Sequence, residues 1–151
     1  IQCGRHVDVL KCWLMWRAKG DLGFERQIDR LFELANLLEE QCKVRENFHL
    51  VLVTKKADLK HEFLNICFWY VPPSLRKEYN MDFTSNEFKE KLSKVAPKIK
   101  ERMMIKGSLM VGYQPLDDLP NFFRAIISNP ASNEDDVLFM LDEIERLGCD
   151  L

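Results

Sequence analysis

The stretch NFFRAIISNP, residues 121–130, sets one full positive charge inside an apolar run. An unpaired guanidinium is costly to bury, so Arg124 requires a counter-charge, a route to water or a ligand. Strand alternation places Phe122, Arg124, Ile126 and Ser128 on one face and Phe123, Ala125 and Ile127 on the other. Three uses of the arginine fit that placement. It pairs with a carboxylate such as Asp117 or Asp118, or it extends its head to water at the sheet margin. Or it holds an anion through two parallel hydrogen bonds, a geometry that suits a carboxylate. The residues by themselves leave all three open.

Other residue types capable of chemistry are not arranged for it. His6, His49 and His61 are far apart, share no catalytic or metal-ligating spacing, and read as structural or surface groups. Ser74-Leu75-Arg76-Lys77 has the S-x-x-K spacing, but the partner motifs of β-lactamases are missing and Pro72-Pro73 precedes it. Neither a glycine-rich phosphate loop nor a G-x-S-x-G is present. The five cysteines (Cys3, Cys12, Cys42, Cys67, Cys149) are scattered, without C-x-x-C or zinc spacing, so neither a disulfide framework nor a structural metal is expected. Reduced thiols among apolar neighbours act as small hydrophobes and point to a reducing compartment such as the cytosol. Met103-Met104 read as core filler. DEIER, 142–146, reads as the solvated face of a helix.

The elements that must hold Arg124 follow from periodicity. VDVLKCWLMWRA, residues 7–18, is apolar around nearly its whole helical circumference, which predicts burial on most sides by partners beyond this chain. Gly20 and Gly23 bracket a break. Phe24, Ile28, Leu31, Ala35, Leu38 and Cys42 then step by three and four, the stripe of an amphipathic helix. FHLVLV (48–53) and NICFWYV (65–71) read as strands, the second ended by Pro72-Pro73, with a polar loop between them. Residues 76–84 lack periodicity and read as an exposed connection. Thr84 with Glu87 fits a capping box ahead of the stripe Phe88, Leu92, Val95, Ile99, Met103; Pro97 predicts a kink or two abutting helices before the stop at Gly107. SLMVGYQ (108–114) is a third strand, 115–120 a turn, and the opening stretch a fourth strand. Ser132 with Asp135 begins a last helix that Gly148 ends. The order α-α-β-β-α-β-β-α predicts an α+β fold, an antiparallel sheet with helices packed on it.

At 151 residues the chain fits one domain that buries roughly 70% of its unfolded surface. Its 22 basic and 24 acidic residues are evenly mixed, which argues against a nucleic-acid or anionic-membrane surface. Lys55, Lys56, Lys60 and His61 are interrupted by Asp58 and followed by Glu62, as in a solvated loop. No apolar stretch approaches the ~18 residues of a membrane span, and no signal peptide is visible. The chain starts at Ile1, close to a hydrophobic helical pattern, and reads as a piece of a longer protein.

IQCGRHVDVLKCWLMWRAKG, NICFWYVPPSLR, KLSKVAPKIKERMM, GSLMVGYQP, NFFRAIISNP and LDEIERLGCDL, in this order, resemble the carboxy-terminal part of the group II pyridoxal-phosphate decarboxylases. The resemblance is strongest to the members acting on acidic amino acids: glutamate decarboxylase, cysteine sulfinate decarboxylase and their aspartate-using relatives. It spans Ile1 to Leu151, although the loop between Phe48 and Asn65 is a few residues longer than the family's. It implies a homodimer of the aspartate-aminotransferase type (fold type I), whose large domain holds pyridoxal phosphate as a Schiff base on a lysine; the cytoplasmic location follows from the cysteines. Residues 1–46 are then helices linking to and packing on that large domain, and residues 47–151 the small carboxy-terminal α+β domain.

Within the family's NFFR block the arginine binds the substrate carboxylate, and by that motif the role falls on Arg124, in a pocket expected to be open and wet. The cofactor acts as an electron sink for loss of CO2, and an arginine that fixes a carboxylate contributes positioning. By the same resemblance the Schiff-base lysine, the cofactor-phosphate ligands, the ring-stacking histidine and the mobile catalytic loop lie upstream of Ile1. No lysine here has an NPHK-like context, so these residues include no catalytic or cofactor-binding group and are expected to be inactive by themselves. VPPSLR and KGSLM lean toward the cysteine-sulfinate branch over glutamate or aspartate. The alternative from another class is a non-catalytic α+β interaction or regulatory domain, with Arg124 in a structural ion pair.

Overall fold

The computed structural model describes residues 7–51, 63–80 and 82–151. Cys3, His6, the lysine-rich loop up to His61 and the end of the first predicted strand lie outside the described residues. Eight elements follow in order: α1 (Asp8–Val44), β1 (Phe48–Leu50), β2 (Asn65–Tyr70), α2 (Pro73–Tyr79), α3 (Asn86–Lys106), β3 (Gly112–Leu116), β4 (Leu119–Ile126) and α4 (Glu134–Gly148). The strands form one antiparallel sheet in the order β1-β2-β4-β3. This is the α+β layout expected.

Gly20, at φ 65°, breaks the helical path of α1 where the sequence predicted a break. After the break, Leu31, Leu34, Ala35, Leu38 and Cys42 form a buried stripe, while Ile28 at its start is exposed. Before the break Val9, Leu10, Trp13, Leu14 and Trp16 all face outward. The described residues thus provide no cover for the segment predicted to need partners.

Pro72-Pro73 stops β2 and also starts a helix, because a proline at the first helical position gives up only an N–H that has no partner there. The expected irregular connection therefore begins with α2. Ser85, not Thr84, caps α3: its hydroxyl accepts from the Phe88 N–H at 3.4 Å, whereas the Thr84 N–H is bound to Asp82 Oδ1 at 2.9 Å. The helix runs through Pro97 as one element and ends at Gly107 in the left-handed conformation. Asn133, not Ser132, caps α4 in a reciprocal box with Asp136.

The third and fourth strands are each displaced from their predicted bounds. Their pairing is fixed by a hairpin that closes on Asp117-Asp118 between the partners Leu116 and Leu119, with Asp117 at φ 46°. Pro115 is tolerated because β3 is an edge strand. Ser128 falls beyond β4.

The core joins the second half of α1, α3 and α4 to the sheet. Phe48, Phe68 and Phe123 stack across β1, β2 and β4 with ring centroids 5.7 Å apart at each step. The segment DEIER is not wholly solvated, since Glu143 and Ile144 are buried; of the methionine pair, Met103 is core and Met104 exposed.

Candidate functional site

Arg124 sits on β4, an inner strand, flanked on both sides by paired strands. Its cross-strand partners are Cys67 on β2 and Gly112 on β3. Phe123 and Ala125 turn into the core, which orients Arg124 to the opposite face. That face is covered at one end and open at the other. Phe122 is buried there against Trp69, whose ring packs 4.9 Å from that of Phe83. Two residues further along, Arg124 and Ile126 are exposed. The charge that looks buried in the sequence is therefore wet, and its desolvation cost is not incurred.

At the end of β4 near α4 lies a cavity of about 610 Å³. Its lining draws on both faces of the sheet, with Gly112, Arg124 and Ile126 from one and Ala125 and Ile127 from the other, and on Asp136 of α4. Among the described residues Arg124 forms no ion pair and no side-chain hydrogen bond. The carboxylate sharing its cavity is already engaged: Asp136 Oδ2 accepts from the Asn133 N–H at 2.9 Å in the cap of α4. Asp117 and Asp118, the partners that sequence spacing suggests, lie at the hairpin end and line a different groove, against α3. The guanidinium keeps its donors available for an anion from outside. Cys67 feels that charge: burial raises its thiol above the ordinary value, and Arg124 works against the rise.

His49 and Ser74, the other candidates among the described residues, are structural. His49 is held by the Glu46 carbonyl, 3.2 Å from Nε2, and its pKa is lowered chiefly by burial. Ser74 donates its hydroxyl to the Leu151 carbonyl, so Ser74 and Lys77 are not a nucleophile–base pair. No cluster of metal-ligating side chains occurs among the described residues, and none of their helices is long and apolar enough to cross a membrane. Gly112, the β3 partner of Arg124 in the lining of the cavity, was not singled out by the sequence. The available signal was an isolated glycine inside a strand, which often marks close approach of a ligand or backbone.

The model of the pyridoxal-dependent decarboxylase conserved domain matches residues 1–71. Human cysteine sulfinic acid decarboxylase is 52% identical over 151 residues, covering 100% of this chain and 28% of that protein. The crystal structure of mouse CSAD superposes with a TM-score of 0.85 at 49% identity, over 99% of this chain and 29% of that one. The glutamate decarboxylase domain of a Vibrio parahaemolyticus diaminobutyrate-pyruvate transaminase and L-2,4-diaminobutyrate decarboxylase gives a TM-score of 0.67 at 15% identity, over 94% and 26% of the two chains, a likeness of fold alone. The chain thus spans less than a third of the length of these proteins.

Proposed function

Because the chain belongs to the pyridoxal-dependent decarboxylase family, we propose that it supplies the substrate-carboxylate site of an enzyme that removes the α-carboxylate of a small acidic amino acid. The observation that carries this reading is Arg124: an exposed residue on an inner strand that lines a cavity and has no carboxylate partner among the described residues. A structural ion pair, on which the alternative of a silent interaction domain rested, lacks its second member among the described residues. Similarity to human cysteine sulfinic acid decarboxylase favours cysteine sulfinate over glutamate and aspartate as the substrate.

The described residues do not by themselves fit pyridoxal phosphate, since no lysine lines the cavity beside Arg124 to anchor it covalently. We assign the cofactor to the remainder of a longer polypeptide, where it supplies the electron sink for decarboxylation. In this reading residues 1–46 link to and pack on that larger part, residues 47–151 form the small α+β domain, and the enzyme is a cytoplasmic homodimer. Arg124 binds one carboxylate of the acid and fixes the orientation of the molecule, a contribution to rate through positioning.

The test is Arg124→Ala in the full-length protein, assayed by CO2 release from cysteine sulfinate, glutamate and aspartate. Loss of a charge-assisted pair predicts a rise in KM of about tenfold or more, with normal visible absorbance of bound cofactor. Unchanged kinetics for all three acids would refute the role.

A further inference from the structure

We propose that Gly112 is a specificity-determining residue of the Arg124 site: its missing side chain is the clearance through which the planar carboxylate of a small acid reaches the guanidinium edge-on. The inference rests on the reading of Arg124 as the carboxylate site.

Gly112 and Arg124 are Cα partners in the β3–β4 ladder, so a side chain at 112 would stand on the same face as Arg124. Both residues line the same cavity of about 610 Å³. Gly112 is the first residue of β3, where a glycine gives up backbone entropy without a side chain to pack and so calls for a reason. The usual reasons are absent here. Gly20 and Gly107 have positive φ and Gly112 does not, so its backbone suits any residue. At Gly148 an added β-carbon would run into Tyr70 and Ile99, whereas at Gly112 it would meet nothing within 4 Å. Neither backbone conformation nor packing against the described residues demands glycine at this position. The space it leaves opens beside a cation that has no partner among the described residues.

The opposite flank is narrow as well. Cys67, the partner of Arg124 on β2, has a short side chain. Tyr113, next to Gly112, pairs with Phe123 and so turns to the other face. Arg124 therefore has a glycine and a cysteine as its two cross-strand neighbours, neither of which sets a bulky side chain beside it. Two parallel hydrogen bonds to a carboxylate or sulfinate need that side-on access, and a branched side chain at 112 would cover one edge.

The experiment compares Gly112→Ala, Gly112→Val and Gly112→Leu with Arg124→Ala in the full-length protein. KM and kcat for cysteine sulfinate are measured, with competitive inhibition by succinate as a probe of the site that needs no turnover. The expected result is a rise in KM and in the succinate inhibition constant graded by side-chain volume. It should reach about tenfold for Val and Leu, fall on KM more than on kcat, and leave cofactor absorbance and the melting midpoint in place. If Arg124→Ala raises KM while the Gly112 series does not, the role of Gly112 is refuted and that of Arg124 stands. If Arg124→Ala changes nothing, both fall. A series that lowers the melting midpoint without moving either constant would make Gly112 structural and overturn the proposal.

Discussion

Arg146 folds back one helical turn onto Glu143, donating from Nε at 2.7 Å and from Nη2 at 2.6 Å to its two carboxylate oxygens. Glu143 is only 5% exposed and also accepts the Ser108 hydroxyl, which ties the segment after α3 to α4. The bonds from Arg146 and then Ser108 hold the Glu143 carboxyl down from the ordinary 4.5 to about 2. A buried carboxylate with several donors is satisfied in its charged form only.

The sign of the pH dependence follows. The folded-state value lies below the unfolded one, so the unfolded chain takes up the proton first as pH falls. The stabilisation from Glu143 is complete above 4.5 and is lost as pH drops toward 2. Glu143→Gln should lower stability near neutrality and flatten the loss of stability through that acid range. Denaturant midpoints measured across it would check this; equal acid slopes in the two proteins would contradict it.

Gly148, the last residue of α4, lies where a β-carbon would collide with the ring of Tyr70 and come within 2.7 Å of Ile99 Cδ1. Tyr70 cannot yield easily, being buried on β2 with its hydroxyl 3.4 Å from the Glu145 carbonyl. Gly148→Ala should therefore destabilise by about 1–3 kcal/mol, the cost of overpacking, despite alanine's better helix propensity. A chemical denaturation midpoint equal to the parent's would show that the α4–β2 seam has slack.

These contacts mark where sequence reading stops. The runs around Phe68 and Phe123 and the stripe Leu31–Cys42 announce their elements, because a half-buried strand and an amphipathic helix need those periods. The single-residue choice of a cap is different. Thr84 and Ser85, or Ser132 and Asn133, are neighbours of similar chemistry, and the backbone decides which of them leaves the helix. The register of β3 is set by a partner strand rather than by its own composition, so SLMVGYQ suggested a strand that starts too early. Arg124 was legible as an anomaly from sequence. That it lies between Cys67 and Gly112 required the pairing of three strands.

Cys42 lies in the core with 1% exposure, and burial pushes its thiol up to about 12. The thiolate is the reactive form, so Cys42 should resist alkylation in the folded protein at mildly alkaline pH while the exposed Cys149 reacts. Mass spectrometry of iodoacetamide-treated protein, with and without denaturant, checks the order. Labelling of Cys42 at the rate of Cys149 without denaturant would mean that the α1–α4 region opens readily.

The first half of α1 carries Trp13 and Trp16 at 56% and 51% exposure, alongside Leu10 and Leu14. Trp69 is buried in the sheet, its indole N–H donating to the Pro120 carbonyl at 3.1 Å. If the helix before Gly20 packs on the larger part of a full-length enzyme, the two outward indoles lose their contact with water there. Burying indoles and leucines of this size is worth roughly 1.5–3 kcal/mol each, so the packed form is strongly preferred. Acrylamide quenching separates the cases. In the isolated chain Trp13 and Trp16 should be quenched freely and Trp69 protected. In the full-length protein all three should be protected, and Trp13→Glu should restore a quenchable fraction while lowering its thermal midpoint. Equal quenching of the isolated chain and the full-length protein would mean that this helix stays on the surface, and that residues 1–46 do not dock as proposed.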